Sequence, residues 1–300
     1  MQSNLEFTLS DGYENAILLQ AAVFPRANTP DQGNRALAYL TGTGISGNIV
    51  LPTTYENGTP VMLGDDGPGY PPQLYPNLTY DQTSDAHNAF YADKLLDHNS
   101  TLLLGPLFLR SNSSLLSLTV PINNNTSRID ILGWLTVVLD AKALYEVVQS
   151  RVGLGKSGEV VIIGPGGRPD NLFPEDVSGR TEAQNANVAL QFVLPPYSNR
   201  HPTRANDPYL PFPMKDYPAV LRAWSDVNGQ LNNAGGMMST HNEEGRKISL
   251  GYARVSSNIV DWVLIFGQSH SEVVAPINQL RRTVIASIFS VVGAIMLVCL

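Results

Sequence analysis

Cysteine is almost missing from this 300-residue chain. Its one cysteine, Cys299, lies in an apolar tail, so residues 1–282 can form no disulfide and offer no thiol nucleophile or zinc–thiolate site. Charge is sparse as well. Only 15% of residues are charged, the net charge is −7, and the nineteen Lys and Arg form no basic block, which argues against a nucleic-acid partner. The histidines His87, His98, His201, His241 and His270 include no H-E-x-x-H and no pair at ligand spacing, so no metal site is expected. Asp65-Asp66 lacks a following carboxylate at calcium-loop spacing and reads as a solvated turn. No serine occupies a G-x-S-x-G elbow, and neither catalytic residues nor a cofactor site can be assigned. Residues 1–24 also lack a basic stretch followed by an apolar one, so no export signal is visible.

What the chain does have is an uncharged end, Thr283 to Leu300. As a helix this stretch reaches about 27 Å, against roughly 30 Å of bilayer hydrocarbon. The expectation is a membrane span cut within the helix, with a first span preceding Met1. Arg281 and Arg282 abut the span, and the positive-inside tendency would put them in the cytoplasm. Pointing the other way are Asn-x-Ser/Thr acceptors at Asn57, Asn77, Asn99, Asn112, Asn124 and Asn125, all in stretches rich in Gly, Pro, Asn and Ser. They favour residues 1–282 outside the plasma membrane and carrying sugars.

Leu5, Leu9, Tyr13, Ile17, Gln20 and Phe24 step by three and four, which predicts an amphipathic helix over 3–24 ended by Pro25. A second short helix is expected within 31–47, and the Gly/Pro-rich segment from Glu56 to Tyr80 should be mostly irregular. Leu102–Arg110, Leu115–Ile122 and Ile131–Leu139 read as antiparallel strands. Asp140 should cap a helix at Ala141–Gln149, with Leu144, Val147 and Val148 as its buried stripe. A strand at Glu159–Ile163 follows. A similar order comes next: a strand at Asn187–Leu194, a proline-rich loop from Pro195 to Pro218, a helix at Ala219–Asp226, then strands at Arg246–Val255 and Val260–Gly267. The class is α+β, in two stacked modules.

Gly153-Leu-Gly-Lys-Ser-Gly158 matches G-x-G-x-x-G, but a helix precedes it and a strand follows, the reverse of a dinucleotide site. It reads as a helix-to-strand turn. Tyr197, Tyr209, Phe212 and Tyr217 decorate the proline-rich loop near Arg200, His201 and Arg204; such a loop can close over a small ligand or be pinned to the surface by its aromatics. Trp134 and Trp262 belong to strands and a core, and Trp224 packs its helix.

The exit helix carries the clearest mechanical pattern. Ser269 and Glu272 have capping-box spacing, Ile277 and Leu280 continue the helical register towards the span, and Pro276 should kink the helix near the surface. Such a helix either transmits displacement from the sheet to the bilayer or simply anchors it.

Taken in order, several segments resemble the extracellular double Cache (dCache) sensor region of fungal osmosensing hybrid histidine kinases of the yeast Sln type. They are Leu118–Ile122, Ile131–Asp140, Gly155–Ile163, Tyr217–Val220, Gly251-Tyr252, Asp261–Leu264 and Ser269–Ile277. The resemblance implies an N-terminal signalling helix at 1–28, a membrane-distal PAS-like module at 29–180, a proximal one at 181–268, and an exit helix and span at 269–300. It further implies a homodimer, an osmotic-stress phosphorelay driven by cytoplasmic kinase domains, and a small-molecule or mechanical stimulus. Amino-acid-sensing relatives use an Arg-x-Trp pair in the distal module; residues 29–180 contain none. No ligand-binding residue is therefore assigned. The alternative is a surface enzyme or adhesion protein on a GPI-type lipid anchor, although the residues around Ser269–Ile277 supply neither a small attachment site nor a polar spacer.

Overall fold

The computed structural model describes residues 18–26, 38–41, 49–54, 60–63, 71–80, 88–109, 113–127, 129–150, 153–174, 177–196, 200–204, 207, 209–227, 230–231, 233–255 and 257–299. In chain order the strands begin with β1 (Leu18–Pro25), β2 (Ala38–Thr41), β3 (Ile49–Thr54), β4 (Pro60–Leu63), β5 (Leu78–Tyr80), β6 (Ala89–Tyr91), β7 (Lys94–Leu96), β8 (Leu102–Leu109), β9 (Ser113–Asn123) and β10 (Ile131–Asp140). Helix α1 (Lys142–Gln149) and strand β11 (Glu159–Pro165) follow, then α2 (Glu182–Asn185), β12 (Ala189–Phe192), β13 (Phe212–Pro213) and α3 (Pro218–Trp224). The chain continues through β14 (Asp226–Val227), β15 (Gln230–Leu231), β16 (Ala234–His241), β17 (Lys247–Arg254) and β18 (Val263–Ser269) into α4 (His270–Cys299).

Two antiparallel sheets organise this mixed α and β chain. The first has the order β2-β1-β10-β9-β8, the second β13-β12-β11-β18-β17-β16. They divide between Asp140, at the end of β10, and Glu159, at the start of β11, because β11 pairs with β12 and β18.

The strands expected at 102–110, 115–122 and 131–139 are β8, β9 and β10, and β11, β12, β17, β18 and α3 also lie where the patterning placed them, whereas β16 and the short strands β13 to β15 were not expected. Residues 18–25 do not form the expected helix. They are β1, an interior strand pairing Ala21 with Val137 and Phe24 with Trp134. Gln20, Ala21, Ala22 and Phe24 are all buried. A strand covered on both faces reads as a continuous apolar run, and over a few residues that run mimics a helical stripe. The rest of the predicted helix, residues 3–17, lies outside the described residues. In the 31–47 segment Ala38–Thr41 is a strand, and β4 and β5 fall within the Gly/Pro-rich stretch expected to be irregular.

The first core packs Ala22, Phe24, Leu102, Leu104, Ile131 and Trp134 against Leu78, Ala89 and Leu96 of the small β5–β7 sheet. The second packs α3, through Ala219, Val220, Ala223 and Trp224, onto β11, β12, β17 and β18. β11 is buried along its whole length. Ala141 rather than Asp140 occupies the N-cap of α1, without a side-chain cap bond. Asp140 Oδ1 instead accepts from the Lys142 amide at 2.9 Å from the position before it, and Val147 is exposed while Val148 carries the burial. Val148 packs with Ile162, Val193, Leu194, Val260 and Trp262, which seats α1 against the six-stranded sheet.

Candidate functional site

α4 starts where β18 stops, with no loop between Ser269 and His270. Because β18 lies between β11 and β17, the helix is rooted in the interior of the six-stranded sheet. The turn leading into β11 meets it there. Gly155 has φ +63°, a conformation that aims the successive amides of Lys156 and Ser157 the same way. Both amides donate to the Glu272 carboxylate, each at 2.8 Å. A Cβ on Gly155 would lie 2.5 Å from Glu272 Oε1, so any side chain there would displace the carboxylate from the turn, and the positive φ favours glycine in addition.

This contact replaces the expected capping box. The antiparallel register that pairs Glu159 with Gly267 brings Ser157 level with Ser269. Ser157 Oγ accepts from the Ser269 amide at 3.0 Å, and the Glu272 side chain finds two amide donors outside its own helix. The G-x-G-x-x-G turn is thus a carboxylate cradle whose occupant is the protein's own exit helix. Pro276 lies inside α4, and Ile277 and Leu280 are 62% and 66% exposed. The stretch His270–Met296 is long and apolar enough to cross a membrane, and its most apolar window holds no buried residue.

A second cluster stands behind the turn. His201 is fully buried, with Nδ1 2.5 Å from Glu243 Oε1 and Nε2 3.3 Å from Glu159 Oε2. Arg200 Nη1 lies 3.5 Å from the same Glu159 oxygen, while its Nη2 donates to the Lys156 carbonyl at 3.2 Å. Burial alone would lower the His201 pKa, but the hydrogen bonds and charges of Glu159 and Glu243 override it and raise the group from 6.5 to about 9. Phe192 presents its ring to the imidazole at 5.1 Å, and Arg204 stacks 5.0 Å over Phe212. Phe212 and Tyr217 are core residues, so these aromatics of the proline-rich loop pin it down. Tyr197 lies outside the described residues.

The far end of that loop reaches the first sheet, where the Tyr209 hydroxyl donates to the Pro106 carbonyl at 3.2 Å. Here β8 and the chain just before β18 are tied by Asn171, a left-handed residue at φ 57° that is 5% exposed. Its Nδ2 donates to the carbonyls of Gly105, Leu103 and Pro169, and its Oδ1 accepts from Trp262 Nε1 at 3.1 Å. Arg168 adds ion pairs to Asp170 at 2.9 Å and Asp93 at 2.7 Å. A shallow cavity of about 270 Å³ opens beside this junction, lined in part by Leu74, Pro106, Gln191, Val193 and Tyr209.

Among the expected sugar acceptors, Asn77, Asn99 and Asn125 are exposed, Asn124 is half-buried, and Asn57 and Asn112 lie outside the described residues. All three tryptophans are buried. Trp224 does belong to an Arg-x-Trp pair, Arg222-Ala223-Trp224 on α3, but its ring is packed under the Arg254 guanidinium at 3.6 Å and against Phe173. The His201 cluster and Asn171 were not foreseen. Glu159 and Glu243 each lie 42 positions from His201, a separation that no local pattern reveals.

Comparison with known proteins gives no matching family model. The chain is 25% identical over 187 residues to the osmosensing histidine protein kinase SLN1 of Saccharomyces cerevisiae, an alignment covering 61% of this chain and 13% of the kinase. Solved structures similar to it include an extracellular domain assigned to a histidine kinase, vpHK1S-Z8, with 14% identity, a TM-score of 0.41, and coverage of 89% of this chain and 75% of that one. Another is the ligand-binding domain of the Pseudomonas aeruginosa PAO1 amino-acid chemoreceptor PctC in complex with GABA, with 11% identity, a TM-score of 0.38, and coverage of 89% and 81%.

Proposed function

We propose that this chain is the sensor input region of a membrane-bound histidine kinase in an osmotic-stress phosphorelay, and that its output leaves through α4. The five-stranded module is the membrane-distal one, the six-stranded module the proximal one, and residues 1–282 face outward at the plasma membrane with sugars on the Asn-x-Ser/Thr acceptors. The observation that carries the reading is the seating of α4. A helix long and apolar enough to span a bilayer continues an interior strand without a linker, and its first turn is held by the neighbouring strand's turn through Glu272. A simple anchor requires neither feature. The alignment with the yeast osmosensing kinase supports the same assignment.

A stimulus shifts a two-state receptor only through its differential interaction with the two states. The contacts of Asn171 with Gly105, Tyr209 with Pro106 and Arg200 with Lys156 lie between the distal module and the turn at 155–157, and through them a rearrangement of the distal module can bias α4. In the full-length homodimeric receptor, cysteines at Ile277 or Leu280 crosslinked between subunits are expected to fix kinase output and abolish its response to osmolarity. Unaltered osmotic regulation in the crosslinked receptor would sink the proposal. The same preparation should lose mass on enzymatic removal of N-glycans, and no change in mass would count against the outward placement.

A further inference from the structure

The buried histidine cluster is more than a fastening for the proline-rich loop. Both ring nitrogens of His201 face carboxylate oxygens, so both contacts are hydrogen bonds only when the ring is an imidazolium with two N–H donors. A neutral ring has one N–H and must give up either Glu159 or Glu243. Those carboxylates come from different elements: Glu159 opens β11, and Glu243 sits in the turn between β16 and β17. The other charged or titratable groups around the ring are Arg200, bonded to the turn of the exit helix, Glu244, which accepts from the Thr203 amide, and the buried Tyr217. With His201 protonated, two acids and two bases balance. Without its proton the ring loses one of its two carboxylates while Arg200 stays against Glu159, and Glu243 Oε2 already has no hydrogen-bond partner.

We propose that Glu159, His201 and Glu243 form a proton-operated latch that holds residues 200–204 on the six-stranded sheet and, through Arg200 and Lys156, sets how firmly the 155–157 turn grips Glu272. The sign follows from linkage. A group whose pKa is higher in the closed state contributes fully below its open-state value of 6.5, progressively less as pH rises, and nothing above about 9. Across that window the closing equilibrium is expected to weaken on the order of a hundredfold. The latch is therefore shut near neutral pH and loosened by alkali. Its use in signalling rests on the sensor assignment above, whereas its test reads the molecule alone.

The test uses the 300-residue chain in lipid nanodiscs, labelled for NMR at histidine and at the backbone amides. The ring of His201, assigned by its loss in His201→Gln, should titrate with a midpoint near 9, and the Lys156 and Ser157 amides should move with the same midpoint. In Arg200→Ala the ring should still titrate while those two amides stop following it. Ring titration near 6.5, or Lys156 and Ser157 amides indifferent to it in the unaltered chain, would overturn the latch. A receptor whose output ignored the exit helix would leave this titration intact, and a flat titration would leave the crosslinking result intact, so the two proposals fail separately.

Discussion

Asn171→Ala is expected to destabilise the chain by about 4 kcal/mol, the largest loss foreseen for any single side chain outside the two cores. Asn171 is almost fully buried and serves three carbonyls and one indole N–H at the seam between the modules. Truncation strips this partner from the Gly105 carbonyl and the Trp262 indole N–H, while the Pro169 carbonyl keeps the Gly105 amide, and an unsatisfied buried polar group costs roughly 1–3 kcal/mol. It also puts alanine at φ 57°, a left-handed region that asparagine tolerates through local hydrogen bonding and alanine does not, at a cost of up to about 1 kcal/mol. Asn171→Gly removes only the second penalty and should recover that share. Asn171→Asp keeps the acceptor for Trp262 but turns a carboxylate oxygen towards three carbonyls, so it should be no better than alanine. Thermal denaturation should show a fall of roughly 10 °C for the alanine variant. A loss under about 1 kcal/mol would mean that the seam is held elsewhere.

The second large effect belongs to Gly133. It faces Pro25 across the β1–β10 ladder, and a Cβ there would lie 2.5 Å from the Phe24 carbonyl oxygen. Gly133→Val should therefore force β1 away from β10 and cost about 3 kcal/mol, read as a lower denaturation midpoint. Leu132→Val, on the exposed neighbour, should change stability by less than about 0.5 kcal/mol. The contrast is informative because valine favours strands. Were residues 18–25 helical and remote from β10, Gly133→Val would be neutral or stabilising.

That test concerns the place where patterning and structure part. Strands flanked by Asn/Ser-rich turns, such as β9 and β10, announce themselves through length, β-branched content and turn chemistry, all local properties. β1 does not, because its identity comes from β2 and β10 on either side, and Leu18–Phe24 satisfies a helical stripe equally well over so short a run. β11 shows the same limit in another form: its strand character was legible, but its membership of the second sheet depends on β18, a hundred residues downstream. At the candidate site, the spacing of Ser269 and Glu272 correctly marked the first turn of α4 yet named the wrong partners. The amides that hold Glu272 belong to a glycine turn whose motif resembles a phosphate loop, and only tertiary register reveals that it binds a carboxylate from the same chain.

The contact between that turn and the exit helix bears the whole account, and amide hydrogen exchange on the nanodisc-embedded chain reads it directly. In Glu272→Ala the Lys156 and Ser157 amides should lose their protection, while Ile162 and Ile163, deep in β11, keep theirs. Equal protection of Lys156 and Ser157 with and without the Glu272 carboxylate would contradict the claim that α4 is gripped by the sheet it leaves.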